Sequence, residues 1–166
     1  KDHTIALHDR RLARIVKQCR DIPGQRLFQY RDGDGDYRSV DSEDVNDYLR
    51  EITGQDFSAK DFRTWSGTVL AAQALREFEA FDSQAQAKKN VVQAIESVAA
   101  RLGNTKAICR KCYIHPAVLD AYLAGTMLDG LQQRAEQELH HSVADLSPEE
   151  AAVLAFLQQR LADRGK

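Results

Sequence analysis

The apolar stripe between residues 83 and 102 is the strongest constraint on the fold. Apolar residues recur there at every third or fourth position, which places them on one face of an α-helix. The stripe consists of Val91, Val92, Ile95, Val98, Ala99 and Leu102. Gly103 follows directly, where many helices end in a left-handed residue. A helix of this length with such a face must pack against other elements, so the segment predicts a helical core.

Similar patterns predict helices over most of the remaining chain. The expected ranges are Arg10–Cys19, Ser42–Ile52 (capped by Asp41 or Ser42 and ended by Gly54), Ser58 to about Phe78, Thr105 to about Tyr113, 117–124, 126–141 and 149–163, the last capped by Ser147 with Pro148 in its first position. Two short β features are also expected in the first forty residues: a half-buried strand at His3–Leu7, and a hairpin in which Leu27–Tyr30 and Tyr37–Val40 flank an Asp/Gly turn. The prediction is a mainly α fold with a small β element near the N-terminus.

Length and composition narrow the class of protein. A chain of 166 residues predicts a single domain with a sizeable core. We expect no contact with a membrane, since no run of eighteen apolar residues is present and the charged N-terminus lacks the apolar region of a secretory signal. Three cysteines do not make a disulfide framework, which favours a reducing, cytoplasmic location.

The charge is unevenly distributed, although its net value is −2. Residues 1–31 carry eight Lys or Arg against three acids, and residues 101–113 carry four with no acid, whereas residues 32–56 carry nine acids against two Arg. A protein can bind a polyanion on one face while another face is acidic. Charge alone fits the solvated faces of ordinary helices equally well.

Two charged clusters suggest covalent attack on a phosphate. Lys60 and Arg63 stand three residues apart at the start of a predicted helix, so both project from one face. Arg is suited to phosphate because its planar fork meets two oxygens at once. Tyr113 follows a basic segment, and a phenol, which is about one part in a thousand ionised at neutral pH, needs such cations nearby to act as a nucleophile.

Asn104 lies in the break between two predicted helices, where its amide is free to donate to a phosphate oxygen. Nine residues of unbroken helix would separate Asn104 from Tyr113 by about 13 Å. The break at Gly103-Asn104-Thr105 could fold the two side chains back toward each other.

Taken together, these motifs resemble the C-terminal catalytic domain of type IB DNA topoisomerases, especially the short bacterial and poxvirus form. The resemblance covers nearly the whole chain and includes Lys60-Asp61-Phe62-Arg63-Thr64 and the Val45-Asn46-x-Tyr48-Leu49 run that precedes it. It implies that Tyr113 is the nucleophile, that Arg63 is the second active-site arginine, and that Lys60 holds the phosphate and assists the leaving group. Asn104 matches a family position that carries His or Asn and donates to a non-bridging oxygen.

The resemblance also implies what the enzyme acts on and which catalytic groups lie outside the matched region. The substrate is double-stranded DNA, contacted by Lys106, Arg110 and Lys111, and the enzyme acts as a monomer without a cofactor or metal. In a bacterium it would be associated with the nucleoid. The family's first arginine, its general-acid lysine and its clamp domain lie upstream of the matched region. Lys1 therefore corresponds to the second lysine of a catalytic turn, and we expect residues 1–166 to form one incomplete catalytic domain with little or no activity alone.

Other functions remain open at this point. Tyrosine recombinases share the fold and chemistry, but they typically carry His-x-x-Arg and a His where this chain has Lys60, Arg63 and Asn104. A third possibility is a non-catalytic helical DNA-binding domain, in which Tyr113 points into the core.

Two further patterns resemble metal sites but are better explained without a metal. Cys109-x-x-Cys112 with His115 has the spacing of zinc ligands but lacks a fourth ligand. The Asp32–Asp36 run imitates a calcium-binding loop but has Tyr37 where the sharp turn requires Gly. We expect side-chain packing for the first and a solvated hairpin turn for the second.

Overall fold

The computed structural model describes residues 8–78, 81–131 and 146–164. The chain divides into two compact units, residues 1–59 and 60–166. The predicted strand at His3–Leu7 and the end of the predicted helix 126–141 lie outside the described residues. No helix within the described ranges has the length and apolar content needed to cross a bilayer.

The first unit contains two helices and the β-hairpin. Its elements are α1 (Arg10–Arg20), β1 (Gln29–Arg31), β2 (Tyr37–Ser39) and α2 (Ser42–Thr53). The strands are antiparallel, with Tyr30 opposite Arg38, so the predicted hairpin is confirmed, although its first strand begins two residues later than expected. Asp41 is the cap of α2 and forms a capping box with Asp44, which satisfies backbone N–H groups that the helix itself cannot pair.

The second unit is helical throughout its described elements. These are α3 (Ala59–Arg76), α4 (Gln84–Leu102), α5 (Lys106–Ile108), a π-helical turn (Cys109–Tyr113), α6 (Pro116–Leu123), α7 (described over 127–131) and α8 (Pro148–Arg164). Gly103 ends α4 in the left-handed conformation, with φ of 68°, as its position predicted. The Ser147 hydroxyl accepts a hydrogen bond from the Glu150 N–H at the start of α8, which confirms that cap.

The hydrophobic core lies in the second unit and is built around α3, α4, α6 and α8. Val69, Leu75, Val91, Ile95, Val98, Val118, Tyr122, Val153 and Phe156 are among its buried members. Asn90 is buried as well, but its amide donates to the Tyr122 hydroxyl at 2.7 Å, so its polar side chain is satisfied. Val92, which we expected in the α4 stripe, is 45% exposed, because it lies beside the buried face and not on it.

Two helical segments of the second unit also differ from the prediction. α3 ends at Arg76, before Phe78. The segment expected to be one short helix from Thr105 to Tyr113 changes from α-helical to π-helical at Cys109. Thr105 is its cap as predicted, since the Thr105 hydroxyl accepts from the Ile108 N–H. The π-helical turn spaces its hydrogen bonds one residue more widely than an α-helix, a change that apolar periodicity does not reveal.

Candidate active site

The start of α3 positions the two cations of the first cluster. Lys60 and Arg63 lie in the first two turns of this helix, and both side chains are exposed. Within the described part of the chain, the Lys60 ammonium has neither a hydrogen-bond nor an ion-pair partner. The helix thus presents two positive charges to solvent on one face, where a phosphate could reach them.

Arg63 connects three parts of the site. Its Nη2 donates to the carbonyl oxygen of Leu102, at the end of α4, at 2.9 Å. Its guanidinium carbon also lies over the ring of Tyr113, 5.0 Å from the ring centroid, which is within the range of a cation–π interaction. The sequence predicted that Arg63 and Tyr113 act together, and the structure brings them into direct contact.

Asn104 joins the same group through the helix break. The N–H of Asn104 donates to Ala99 at the end of α4, and the Nδ2 of its side chain donates to the Leu102 carbonyl at 3.2 Å. One oxygen therefore accepts from both Arg63 and Asn104. This is the arrangement in which two donors could hold a non-bridging oxygen of a phosphate, and Arg63 keeps further N–H groups for that purpose.

Tyr113 is the last residue of the π-helical turn and is half-buried. It borders the core but is not enclosed by it, so its ring can contact Arg63 while part of the side chain stays accessible. The backbone of Tyr113 lies against Gly67 of α3, where an added Cβ would come within 2.3 Å of the Tyr113 carbonyl oxygen. Sequence reasoning did not identify Gly67, because no local pattern distinguishes a close-packed glycine within a helix.

The basic residues assigned to DNA contact are exposed. Lys106 forms an ion pair with Glu96 of α4 at 2.6 Å. Exposed pairs of this kind contribute little to stability and exchange readily with other charges, so Lys106 can still approach a phosphate. Arg110 and Lys111 lie within the π-helical turn itself. All three cations are therefore close in sequence to Tyr113.

Cys109, the first cysteine of the pattern near Tyr113, packs in the hydrophobic core. Cys109 is fully buried, and burial raises the pKa of its thiol, with a smaller opposing effect from Arg63 and a raising effect from Cys112. A thiol that resists ionisation is a poor metal ligand and a poor nucleophile. In the described ranges, no three His, Cys, Asp or Glu residues are grouped so that they could hold a metal ion.

The Asp32–Asp36 run forms the hairpin turn that was expected. The Asp32 carboxylate accepts hydrogen bonds from the Asp34 and Asp36 N–H groups and from Arg38. Chiefly through Arg38, these donors lower the pKa of Asp32. Both carboxylate oxygens of Asp32 therefore accept hydrogen bonds that stabilise the turn between β1 and β2.

This chain is similar to known DNA topoisomerases. A family model described as the catalytic core of eukaryotic DNA topoisomerase I matches residues 1–140. A protein named DNA topoisomerase 1B, from Acanthamoeba polyphaga mimivirus, is 32% identical over 114 residues, which cover 64% of this chain and 34% of the relative. The aligned region thus spans about a third of that relative's length. Because the family match extends over most of its 166 residues, the chain belongs to the type IB DNA topoisomerase family.

Proposed function

We propose that this chain supplies catalytic groups of a topoisomerase that relaxes supercoiled DNA by transient cleavage of one strand. The observation that carries the proposal is the contact of Arg63 with both the Tyr113 ring and the carbonyl oxygen that Asn104 also binds. Donors for a phosphate and a nucleophile for the same phosphate are thereby gathered in one place. Membership of the family makes phosphate transfer the chemistry that this arrangement best serves.

In the proposed reaction, the Tyr113 hydroxyl oxygen attacks a backbone phosphorus and loses its proton. The bond from phosphorus to the 5′-oxygen breaks as the 3′-phosphotyrosyl bond forms, and the 5′-oxygen leaves as a hydroxyl after gaining a proton. Rotation of the free strand relaxes the DNA, and attack by the same 5′-hydroxyl restores the backbone. No ATP is consumed, because the energy of the phosphodiester bond is kept in the phosphotyrosyl link.

Arg63, Asn104 and Lys60 have distinct roles in this proposal. Arg63 and Asn104 donate to non-bridging oxygens and stabilise the charge that grows on them, which is commonly the largest contribution to catalysis of this type. Lys60 is an exposed cation one helical turn from Arg63, so it can hold the phosphate and assist the leaving group. Lys106, Arg110 and Lys111 would bind the flanking DNA backbone.

We further propose that residues 1–166 work as a single catalytic domain that needs groups from elsewhere in the protein. A general-acid lysine and a first arginine belong to the family pattern that the sequence resembles, and the aligned region covers only 34% of the relative. The complete protein would act as a monomer on double-stranded DNA in the cytoplasm, on the nucleoid in a bacterium.

Supercoiled plasmid incubated with the complete protein in EDTA tests the function. Relaxation is the expected result, because no step of the reaction needs a metal ion. Strand exchange at a defined site would instead identify a recombinase. A mobility shift without cleavage would identify a non-catalytic DNA-binding domain and would contradict the proposal.

A further inference from the structure

The face of α3 that meets the Tyr113 segment carries two threonines one turn apart. The Thr64 hydroxyl lies 3.2 Å from the Cys112 carbonyl oxygen and 2.9 Å from the Lys60 carbonyl oxygen, so its single proton is shared between them. The Thr68 hydroxyl donates to the Thr64 carbonyl at 2.7 Å and accepts from the His115 N–H at 3.0 Å. These hydroxyls therefore bind the backbone on both sides of Tyr113.

Gly67 lies between the two threonines and makes the closest approach. A Cβ at this position would stand 2.3 Å from the Tyr113 carbonyl oxygen and 3.2 Å from its carbonyl carbon. Both atoms belong to the backbone, so neither could rotate away as a flexible side chain would. The absence of a side chain at Gly67 is what lets α3 and the Tyr113 backbone lie in contact.

The segment that carries Tyr113 needs such support from outside. It changes from a π-helical turn at Tyr113 to an extended residue at Ile114, so regular helical hydrogen bonding stops there. The His115 N–H consequently has its partner on α3 and not in its own helix. Thr68 is itself 2% exposed, and both of its hydrogen bonds are partly buried.

We infer that Thr64, Gly67 and Thr68 are positioning residues for the nucleophile, holding the Tyr113 backbone so that its hydroxyl meets the phosphate in line. This rests on the proposed function and goes beyond it, because that function assigns none of the three a role. Thr64, Gly67 and Thr68 follow the i, i+3, i+4 spacing of a single helix face, and that face is next to Arg63. Arg63 orients the ring and α3 holds the main chain. A displacement of about 1 Å at a reacting group can cost about 10²-fold in rate.

The test compares hydroxyl removal with hydroxyl retention at Thr68 in the complete protein. Thr68→Val keeps the shape of the side chain but removes both hydrogen bonds, and Thr68→Ser restores them. Single-turnover cleavage of a duplex oligonucleotide should slow at least tenfold in Thr68→Val and recover to within about threefold of the original rate in Thr68→Ser. The apparent Kd for DNA should stay within about threefold in both, because no charge is changed.

Gly67→Ala provides the second arm, and Ser66→Ala is the matched control. Ser66 is exposed on the same helix, and its position lies off the face that Thr64, Gly67 and Thr68 share. We expect Gly67→Ala to slow cleavage by about 10²-fold with DNA binding retained, and Ser66→Ala to cleave as the original protein does. If Gly67→Ala does not fold, the Thr68 pair decides the matter alone.

The outcomes separate this inference from the proposed function. If the unaltered protein forms a Tyr113–DNA adduct and Thr68→Val cleaves at the same rate, the inference is wrong and the function stands. The inference is also wrong if Thr68→Ser is as slow as Thr68→Val, since keeping the hydroxyl would then not preserve the rate. If the unaltered protein forms no adduct, the function and the inference fail together.

Discussion

Replacing Arg63 by alanine should slow DNA cleavage far more than it destabilises the fold. The side chain is exposed, and among the described residues it makes a hydrogen bond to Leu102 and a cation–π contact with Tyr113. A hydrogen bond contributes about 0.5–1.5 kcal/mol net, and an exposed cation–π contact about 0.5–1 kcal/mol. The loss of stability should therefore be about 1–2.5 kcal/mol.

The loss of rate should be larger, because Arg63 stabilises charge that develops in the transition state. Removing one preorganised donor of this kind costs about 10²–10³-fold, or roughly 2.7–4 kcal/mol. A protein with about 5 kcal/mol of stability stays almost wholly folded after losing about 2 kcal/mol. Unfolding therefore cannot account for a hundredfold loss. Arg63→Lys should recover little, because a point charge does not reproduce the fork of the guanidinium.

Single-turnover cleavage of a duplex oligonucleotide by the complete protein measures this effect, with thermal unfolding followed in parallel. Arg76→Ala is the matched control, since Arg76 is an exposed arginine at the other end of the same helix. It should leave the cleavage rate unchanged. If Arg63→Ala cleaved within about threefold of the original protein, Arg63 could not be a phosphate-binding group, and the assigned roles would be wrong.

Three further predictions concern Tyr113, Asn104 and Glu150. Tyr113→Phe should abolish DNA adducts that survive denaturation but leave non-covalent binding within a few fold; a persistent adduct would exclude Tyr113 as the nucleophile. Asn104→Ala should slow cleavage less than Arg63→Ala, because a neutral donor contributes less than a cation, and the reverse order in the same assay would overturn both roles. The Trp65 indole N–H donates to Glu150, and the pKa of Glu150 is lowered, first by the Ser147 N–H and then by the Ser147 hydroxyl and Trp65. Glu150 therefore stabilises the folded state at pH values above its ordinary pKa of 4.5. This stabilisation is lost as the pH falls through the lower pKa that Glu150 has in the folded state. The fluorescence of Trp65, the single tryptophan of the chain, should change with pH below pH 4.5. The same measurement on Glu150→Gln should show no such change.

Much of the fold could be predicted because its signals are local. The caps at Asp41 and Ser147 and the stop at Gly103 depend on residues within a few positions of one another, and the structure confirms them. Val92 was assigned to the wrong face because it adjoins Val91, and apolar character alone does not separate two neighbours in a stripe.

The candidate site was only partly predictable, because its contacts join distant positions. Arg63 binds Leu102 across 39 residues, and Thr68 binds His115 across 47. Spacing along the chain predicted the types of residue that phosphate chemistry needs. It did not predict that Arg63 and Asn104 donate to the same carbonyl oxygen, that of Leu102. Gly67 left no signal in the sequence, since its importance arises from the backbone that lies against it.

The π-helical turn at Cys109–Tyr113 limits how the gene can change in length. Each residue of an α-helix advances the chain by about 100° around the axis. The wide turn already accommodates one residue more than an α-helical turn would, so one further codon between Asn104 and Tyr113 would rotate the tyrosine to a different direction. Such an insertion could leave a well-folded protein with no nucleophile beside Arg63. Insertions here should therefore be eliminated by selection for activity even where they do no harm to folding.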